Sequence, residues 1–160
     1  MGLQSRATVF AAIGGLLAMM GGIVFYASLD NPELEKVEIE LQEVRVIDVN
    51  KIENSAKLEV TFLVANPSEK TFTVPVISYD LYANGESIGS GVYSTEDVSM
   101  PGRAAFYAGV EIPLKNFFKL TKSTVNDEIY DAIVNGESID YTANGMITVE
   151  TSWSLIEKDF

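Results

Sequence analysis

The sequence predicts a mainly β protein: a single N-terminal transmembrane helix followed by a β-sandwich of about seven strands with one helical segment. Three observations lead there. An apolar run from Ala7 to Leu29 holds no charged residue and no proline. From Val37 onward the hydrophobic period changes from 3.6 to 2. Turn signals, Asn-Pro and Asn-Gly among them, then punctuate the chain at short intervals. The expected layout is a short cytoplasmic N-terminus at 1–6, the transmembrane helix at 7–29, a linker at 30–36 and one domain at 37–160.

The apolar run has 23 residues, and crossing a bilayer's hydrocarbon takes roughly 20 in a helix. A cleaved signal peptide has a shorter apolar core of about 7–15 residues, so a retained signal-anchor is expected. Arg6 precedes the run and Asp30, Glu33 and Glu35 follow it. The positive-inside rule then places the N-terminus in the cytoplasm and the domain outside, at a cell membrane crossed once. Gly14, Ala18 and Gly22 recur every fourth residue, and Ala11 and Gly15 add a second small pair. Such small faces let two membrane helices approach closely, so these five are helix-packing candidates. Other membrane-protein helices, or a second copy of this one, are the partners they would suit.

Asn31-Pro32-Glu33 breaks the helix. Val37, Ile39 and Leu41 alternate with polar residues, the phase slips at Gln42-Glu43, and Val44, Val46 and Val49 follow; a bulge is expected at the slip. Leu58, Val60, Phe62 and Val64 form a second strand, ended by Asn66-Pro67-Ser68. Val74 and Val76 open a third, with Pro75 at an edge or a switch between sheets. Ile77, Tyr79, Leu81 and Ala83 lead to Asn84-Gly85, a tight hairpin, because both residues tolerate positive φ. Ile88, Ser90 and Val92 return. Met100-Pro101-Gly102 is a turn, and Ala104 to Ile112 a strand closed by Pro113. Leu114 to Val134 reads as helical, interrupted around Ser123, with Asn135-Gly136 as its stop. Ile139, Tyr141 and Ala143 lead to a second hairpin at Asn144-Gly145, and Ile147 to Leu155 is the last strand, with Trp153 in the core. The pentapeptide Asn-Gly-Glu-Ser-Ile occurs at 84–88 and again at 135–139, as recurring turn chemistry rather than a duplicated unit.

Val64-Ala65-Asn66-Pro67-Ser68, then Val74 to Glu86 with its Tyr-x-Leu-Tyr-x-Asn-Gly hairpin, then Ile88-Gly89-Ser90-Gly91, form one recognisable set with Val98-Ser99-Met100-Pro101-Gly102 and Ile112-Pro113-Leu114. Together they resemble the LEA14-like family, the water stress and hypersensitive response (WHy) domain, over roughly residues 37–158. The resemblance implies a fibronectin-type-III-like sandwich of about seven strands with one helix. It also implies a non-enzymatic role in desiccation or other stress, and family-motif turn residues at Asn66, Pro67, Asn84 and Gly85. The family often carries Asn-Pro-Asn where this chain has Asn66-Pro67-Ser68. A membrane-anchored member with an acidic domain suits a prokaryotic, particularly archaeal, surface.

Composition narrows the chemistry. The chain carries 23 acidic and 11 basic residues, net -12; all the acids and all basic residues but Arg6 follow the apolar run, leaving the domain at -13. Nucleic acid needs clustered Lys and Arg, so it is excluded as a partner, and tight adhesion of the domain to anionic lipid is disfavoured. With no cysteine and no histidine, thiolate and imidazole metal sites, cysteine nucleophiles and Ser-His-Asp triads are impossible. Carboxylate pairs such as Glu38/Glu40 and Asp127/Asp131 lie on wet faces, and Glu96/Asp97 is only a weak candidate for a cation. No catalytic residue, metal ligand, cofactor or small-molecule substrate is expected. Tyr79 and Tyr141 fall with the inward residues of their strands, whereas Tyr82, Tyr93 and Tyr107 fall on the opposite parity in theirs and are candidate surface contacts. The expected function is a membrane-anchored, non-enzymatic module, stress-protective or protein-binding. The alternative is a structural subunit of a larger membrane complex or filament, stator- or pilin-like, packed through its helix.

Overall fold

The computed structural model describes residues 6–29, 31–95 and 104–160. Its elements are α1 (Arg6–Ser28), α2 (Asn31–Leu34), β1 (Glu38–Asn50), β2 (Ser55–Ala65), β3 (Phe72–Ala83), β4 (Glu86–Ser94), β5 (Ala105–Phe106), β6 (Glu111–Thr121), α3 (Asp127–Val134), β7 (Tyr141–Glu150) and β8 (Leu155–Asp159). The strands form a β-sandwich. One sheet has the order β1-β2-β6 and the other β4-β3-β7-β8, with β5 beside the start of β3. Every pairing is antiparallel. The expected turn at 100–102 and the Glu96/Asp97 pair lie outside the described residues.

The core is the set of inward positions that strand alternation supplies. Leu58, Val60, Phe62 and Val64 of β2 face Ile77, Tyr79 and Leu81 of β3 and Ile147 and Val149 of β7, all fully or almost fully buried. Phe62 meets Tyr79 edge-on at 4.8 Å and Phe160 at 5.7 Å. The slip expected at Gln42-Glu43 is a register shift between Leu41 and Glu43. Pro75 sits where β3 exchanges one neighbour for another: Phe72 and Thr73 pair with β5, Val76 onward with β4. Inward residues are even-numbered before it (Phe72, Val74) and odd-numbered after it (Ile77, Tyr79), so a residue without an N–H falls where the ladder is already interrupted.

Several expected elements differ in the structure. Leu114 to Val134 is not mainly helical. Its first part is strand β6, paired with β2 along its whole length from Ser55↔Thr121 to Ala65↔Glu111. Leu114, Phe118 and Leu120 point inward while Phe117 is exposed, a set that fits period 2 as well as helical spacing. Pro113 is tolerated inside β6 because β6 is an edge strand. Only Asp127–Val134 is α-helical. Asn126 caps it, its side chain accepting from the Glu128 N–H at 2.9 Å, and Gly136 ends it at φ +72°. The expected strand Ala104–Ile112 is likewise broken: Ala105–Phe106 pairs with β3, and Gly109, at φ +73°, turns the chain into β6.

Asn144-Gly145 is not a hairpin. It lies inside β7, opposite Asp80 and Tyr79 of β3, and Gly145 exchanges backbone bonds of 3.0 Å with Phe160 on its other side. Asn84-Gly85, by contrast, is a true tight turn, with φ of +51° and +82°. The last strand also ends early. Thr151 Oγ1 accepts from the N–H groups of Trp153 and Ser154 at 3.3 and 3.1 Å, and the Thr151 N–H donates to the Ser154 carbonyl at 2.8 Å. This turn takes Trp153 out of the sheet and leaves it 69 % exposed, and β8 becomes an additional strand.

On the outer side of β2, Glu59 is nearly buried beneath Arg45 (2.7 Å) and Lys115 (3.2 Å). The hydrogen bond from Lys115 and the charge of Arg45 hold its carboxyl below the ordinary value of 4.5. A lowered carboxylate stabilises the fold above its unfolded value, and that contribution is lost as pH falls through the folded one. Glu59→Gln should therefore melt below the wild type at neutral pH, with the gap closing on acidification below pH 4.5. Melts across that range, read by circular dichroism, check this; a gap independent of pH would refute it.

Candidate functional site

The end of the sandwich next to α1 is the most elaborately built part of the described structure. Asn66, 1 % exposed, organises it. Its side-chain NH2 donates to the Lys70 carbonyl at 2.7 Å and to the Phe106 carbonyl at 2.8 Å. Its side-chain oxygen accepts from the Ser68 N–H at 3.0 Å and the Ser68 hydroxyl at 2.7 Å. Its backbone N–H donates to Val110, and its carbonyl accepts from Gly109. One buried side chain thus fastens the 66–70 turn to the 106–110 turn. Ser68 occupies the position where an asparagine was the expected family residue, and its hydroxyl joins the network. Pro67 fixes the turn between the two.

The segment expected to be a linker, 30–36, is packed into this end. Leu34 and Val37 are fully buried. The Lys158 ammonium donates to the carbonyls of Glu35 (2.9 Å) and Val37 (2.6 Å), and the Ser154 hydroxyl donates to the Asn31 side chain. Glu33 pairs with Lys36 at 2.5 Å; that bond, aided by a backbone contact at Glu69, holds the Glu33 carboxyl below its ordinary range.

The expected contact residues separate. Tyr107 is 63 % exposed, at this end, on the turn that Asn66 secures. Tyr82 is partly buried near the opposite end, beside Asn84-Gly85. Tyr93 is a correction: it is 6 % exposed and belongs to the core, and burial raises its phenol above the ordinary range. The register that pairs it with Ile77 places it on the inner face of β4. Trp153, expected in the core, is an exposed aromatic that sequence reasoning missed. The available signal was Thr151-Ser152 before it and Ser154 after it, hydroxyl residues that favour a turn. Asn116 was also missed; from β6 it donates to the Tyr79 hydroxyl at 2.9 Å and the Val92 carbonyl at 3.0 Å, bridging the two sheets.

On α1, Ala11, Gly14, Gly15, Ala18 and Gly22 are all exposed, and nothing lies within 4 Å of where a Cβ would stand on Gly14, Gly15 or Gly22. On the sandwich, an open groove of about 380 Å³ runs over the outer face of β3, β4 and β7 past Asp80, Ser90, Asn144 and Asp159. There the Ser90 hydroxyl donates to Asp80 at 2.5 Å. No group of three or more metal-ligating side chains occurs among the described residues.

No family model and no curated protein matches the chain. Solved structures do. A solution structure from Arabidopsis thaliana is 19 % identical, covers 77 % of this chain and 78 % of its own, and superposes with a TM-score of 0.52. The likeness is one of fold. A crystal structure of a protein from Archaeoglobus fulgidus (17 % identical, 75 % of this chain, 90 % of that one, TM-score 0.45) is also similar. So is a solution structure described as a late embryogenesis abundant (LEA) protein (12 % identical, 94 % and 87 %, TM-score 0.46). These last two, under 0.5, add nothing to the argument. Among the described residues, one helical stretch, that containing α1, is long and apolar enough to cross a membrane.

Proposed function

We propose that this chain is a LEA-like, non-enzymatic module anchored in a membrane by α1, its N-terminus cytoplasmic and its sandwich on the outer face. It acts by contact, with proteins or lipid headgroups, in stress protection at a prokaryotic, particularly archaeal, cell surface. The observation that carries the reading is a helix of 23 residues, uncharged after Arg6 and with no buried residue, joined to a β-sandwich. A soluble fold would cover such a helix; a bilayer covers it without a partner protein. The fold likeness to the Arabidopsis protein supports the module assignment. Protease treatment of intact cells tests the placement: digestion of the sandwich is expected, and a protected sandwich would refute an outer-face location.

A second reading has its own observation. The exposed small face of Ala11, Gly14, Gly15, Ala18 and Gly22 leaves room for another helix at close range, as in a structural subunit of a membrane complex or filament. Replacing Gly14, Ala18 and Gly22 together with leucine should dissociate such an assembly, read as a shift to smaller size on chromatography in mild detergent. A wild-type chain that already runs as a monomer without co-purifying protein would count against it.

A further inference from the structure

We propose that the α1-proximal end of the sandwich rests on the lipid surface itself, with Trp153 in the interfacial layer as a second membrane contact beside the helix. The inference rests on α1 spanning a membrane and adds how the domain sits on it.

Chain geometry carries the argument first. Asn31 lies two residues beyond Leu29, so at most about 7 Å of extended chain separates them. Asn31 is tied by its side chain to Ser154, the residue after Trp153. Three residues further on, Leu34 is locked in the core, and the carbonyls of Glu35 and Val37 are held by Lys158. The end of the apolar helix and the β7–β8 turn are therefore neighbours whatever the tilt of α1. Among the described residues no free tether separates the helix from the domain.

The side chains at this junction carry the second part. Trp153 and Leu155 are 69 % and 59 % exposed, and Tyr26, in the last turn of α1, is 67 % exposed. Trp153 and the Met19, Gly22, Ile23, Tyr26 and Ala27 face of α1 line one apolar groove of about 540 Å³. Lipid is the occupant that fits it. The groove is continuous with the exposed apolar surface of α1 and runs along its C-terminal half from Met19 to Ala27, its near end within one turn of where the helix ends. Trp and Tyr, with an apolar ring and one polar group, favour the membrane–water boundary. Ser152 and Ser154 flank the indole and tolerate hydrated headgroups. With the domain at net -13, the contact should favour zwitterionic lipid over anionic lipid.

Trp153 is the sole tryptophan, so the native chain is its own probe. Full-length protein would be reconstituted into phosphatidylcholine vesicles, with excitation where tyrosine does not absorb. Bromines at shallow acyl positions are expected to remove about half of the emission, deep bromines less, and aqueous acrylamide little, as for an interfacial indole. Co-flotation with the vesicles is measured on the same samples. Protein that fails to float would overturn the membrane-span reading and this inference with it. Protein that floats, but whose Trp153 is quenched by acrylamide and not by bromine, would overturn the inference alone. So would an indole shielded from both quenchers, because a second copy or α1 itself would then fill the groove.

Discussion

Asn66→Ala should destabilise the sandwich by about 3 kcal/mol, with a fall in Tm of about 10 °C, measured on the full chain in mild detergent. The side chain is buried and makes four hydrogen bonds, two donated and two accepted. Alanine removes all four at once, taking from the Phe106 carbonyl its Asn66 donor and from the Lys70 carbonyl the shorter of its bonds, the one from the Ser68 hydroxyl (3.3 Å) remaining. Each buried group so stranded costs about 1–3 kcal/mol, and partial entry of water limits the total. Asn66→Asp separates hydrogen bonding from shape. It keeps the acceptor for Ser68 but turns a carboxylate oxygen toward two carbonyls, so it should be at least as damaging as alanine. If both variants melt within about 1 °C of the wild type, the network does not hold this end together.

Gly145→Ala should cost about 3 kcal/mol, the upper part of the range for overpacking a close-fitted interior. A Cβ there would stand 2.1 Å from the Ser78 carbonyl oxygen and 2.7 Å from the Tyr79 Cα, both backbone atoms of the neighbouring strand. Gly145 is also held from the other side through its two bonds to Phe160, so β7 cannot yield without losing one partner. Gly85→Ala is the contrast. A Cβ at Gly85 meets nothing within 4 Å, and only its φ of +82° resists substitution, for about 1 kcal/mol. Thermal melts of the two variants rank the sites. A larger loss at Gly85 would mean that Gly145 is not clamped between β3 and β8.

That pair shows how far the sequence could be read. Asn-Gly occurs at both 84–85 and 144–145 with alternating residues on either side. The first is a turn and the second a crossing point of three strands. The dipeptide permits positive φ but does not require it; the small size of glycine serves equally where backbones approach. The segment Leu114–Leu120 is ambiguous for a similar reason. Its apolar residues satisfy helical spacing and strand alternation at once, and the backbone groups along the free edge of β2 decide for the strand, because buried N–H and C=O groups must be paired.

At the α1-proximal end the same division holds. The turn that Asn66 begins was legible; the exposure of Tyr107 follows from the turn after β5 and not from the strand expected there. The burial of Tyr93 and the exposure of Trp153 were not legible, since each depends on where a strand starts or stops. The sequence by itself determined the apolar helix, the period-2 domain, the Asn84-Gly85 hairpin and the stop of α3. These follow from composition, local periodicity and backbone preference within a few residues. Only the tertiary structure decided that 114–120 is a strand, that Gly145 is a contact rather than a turn, and that 31–37 is packed into the sandwich with Trp153 beside the helix. Those outcomes turn on which distant segment supplies hydrogen-bond partners and apolar cover, and no local window contains that information.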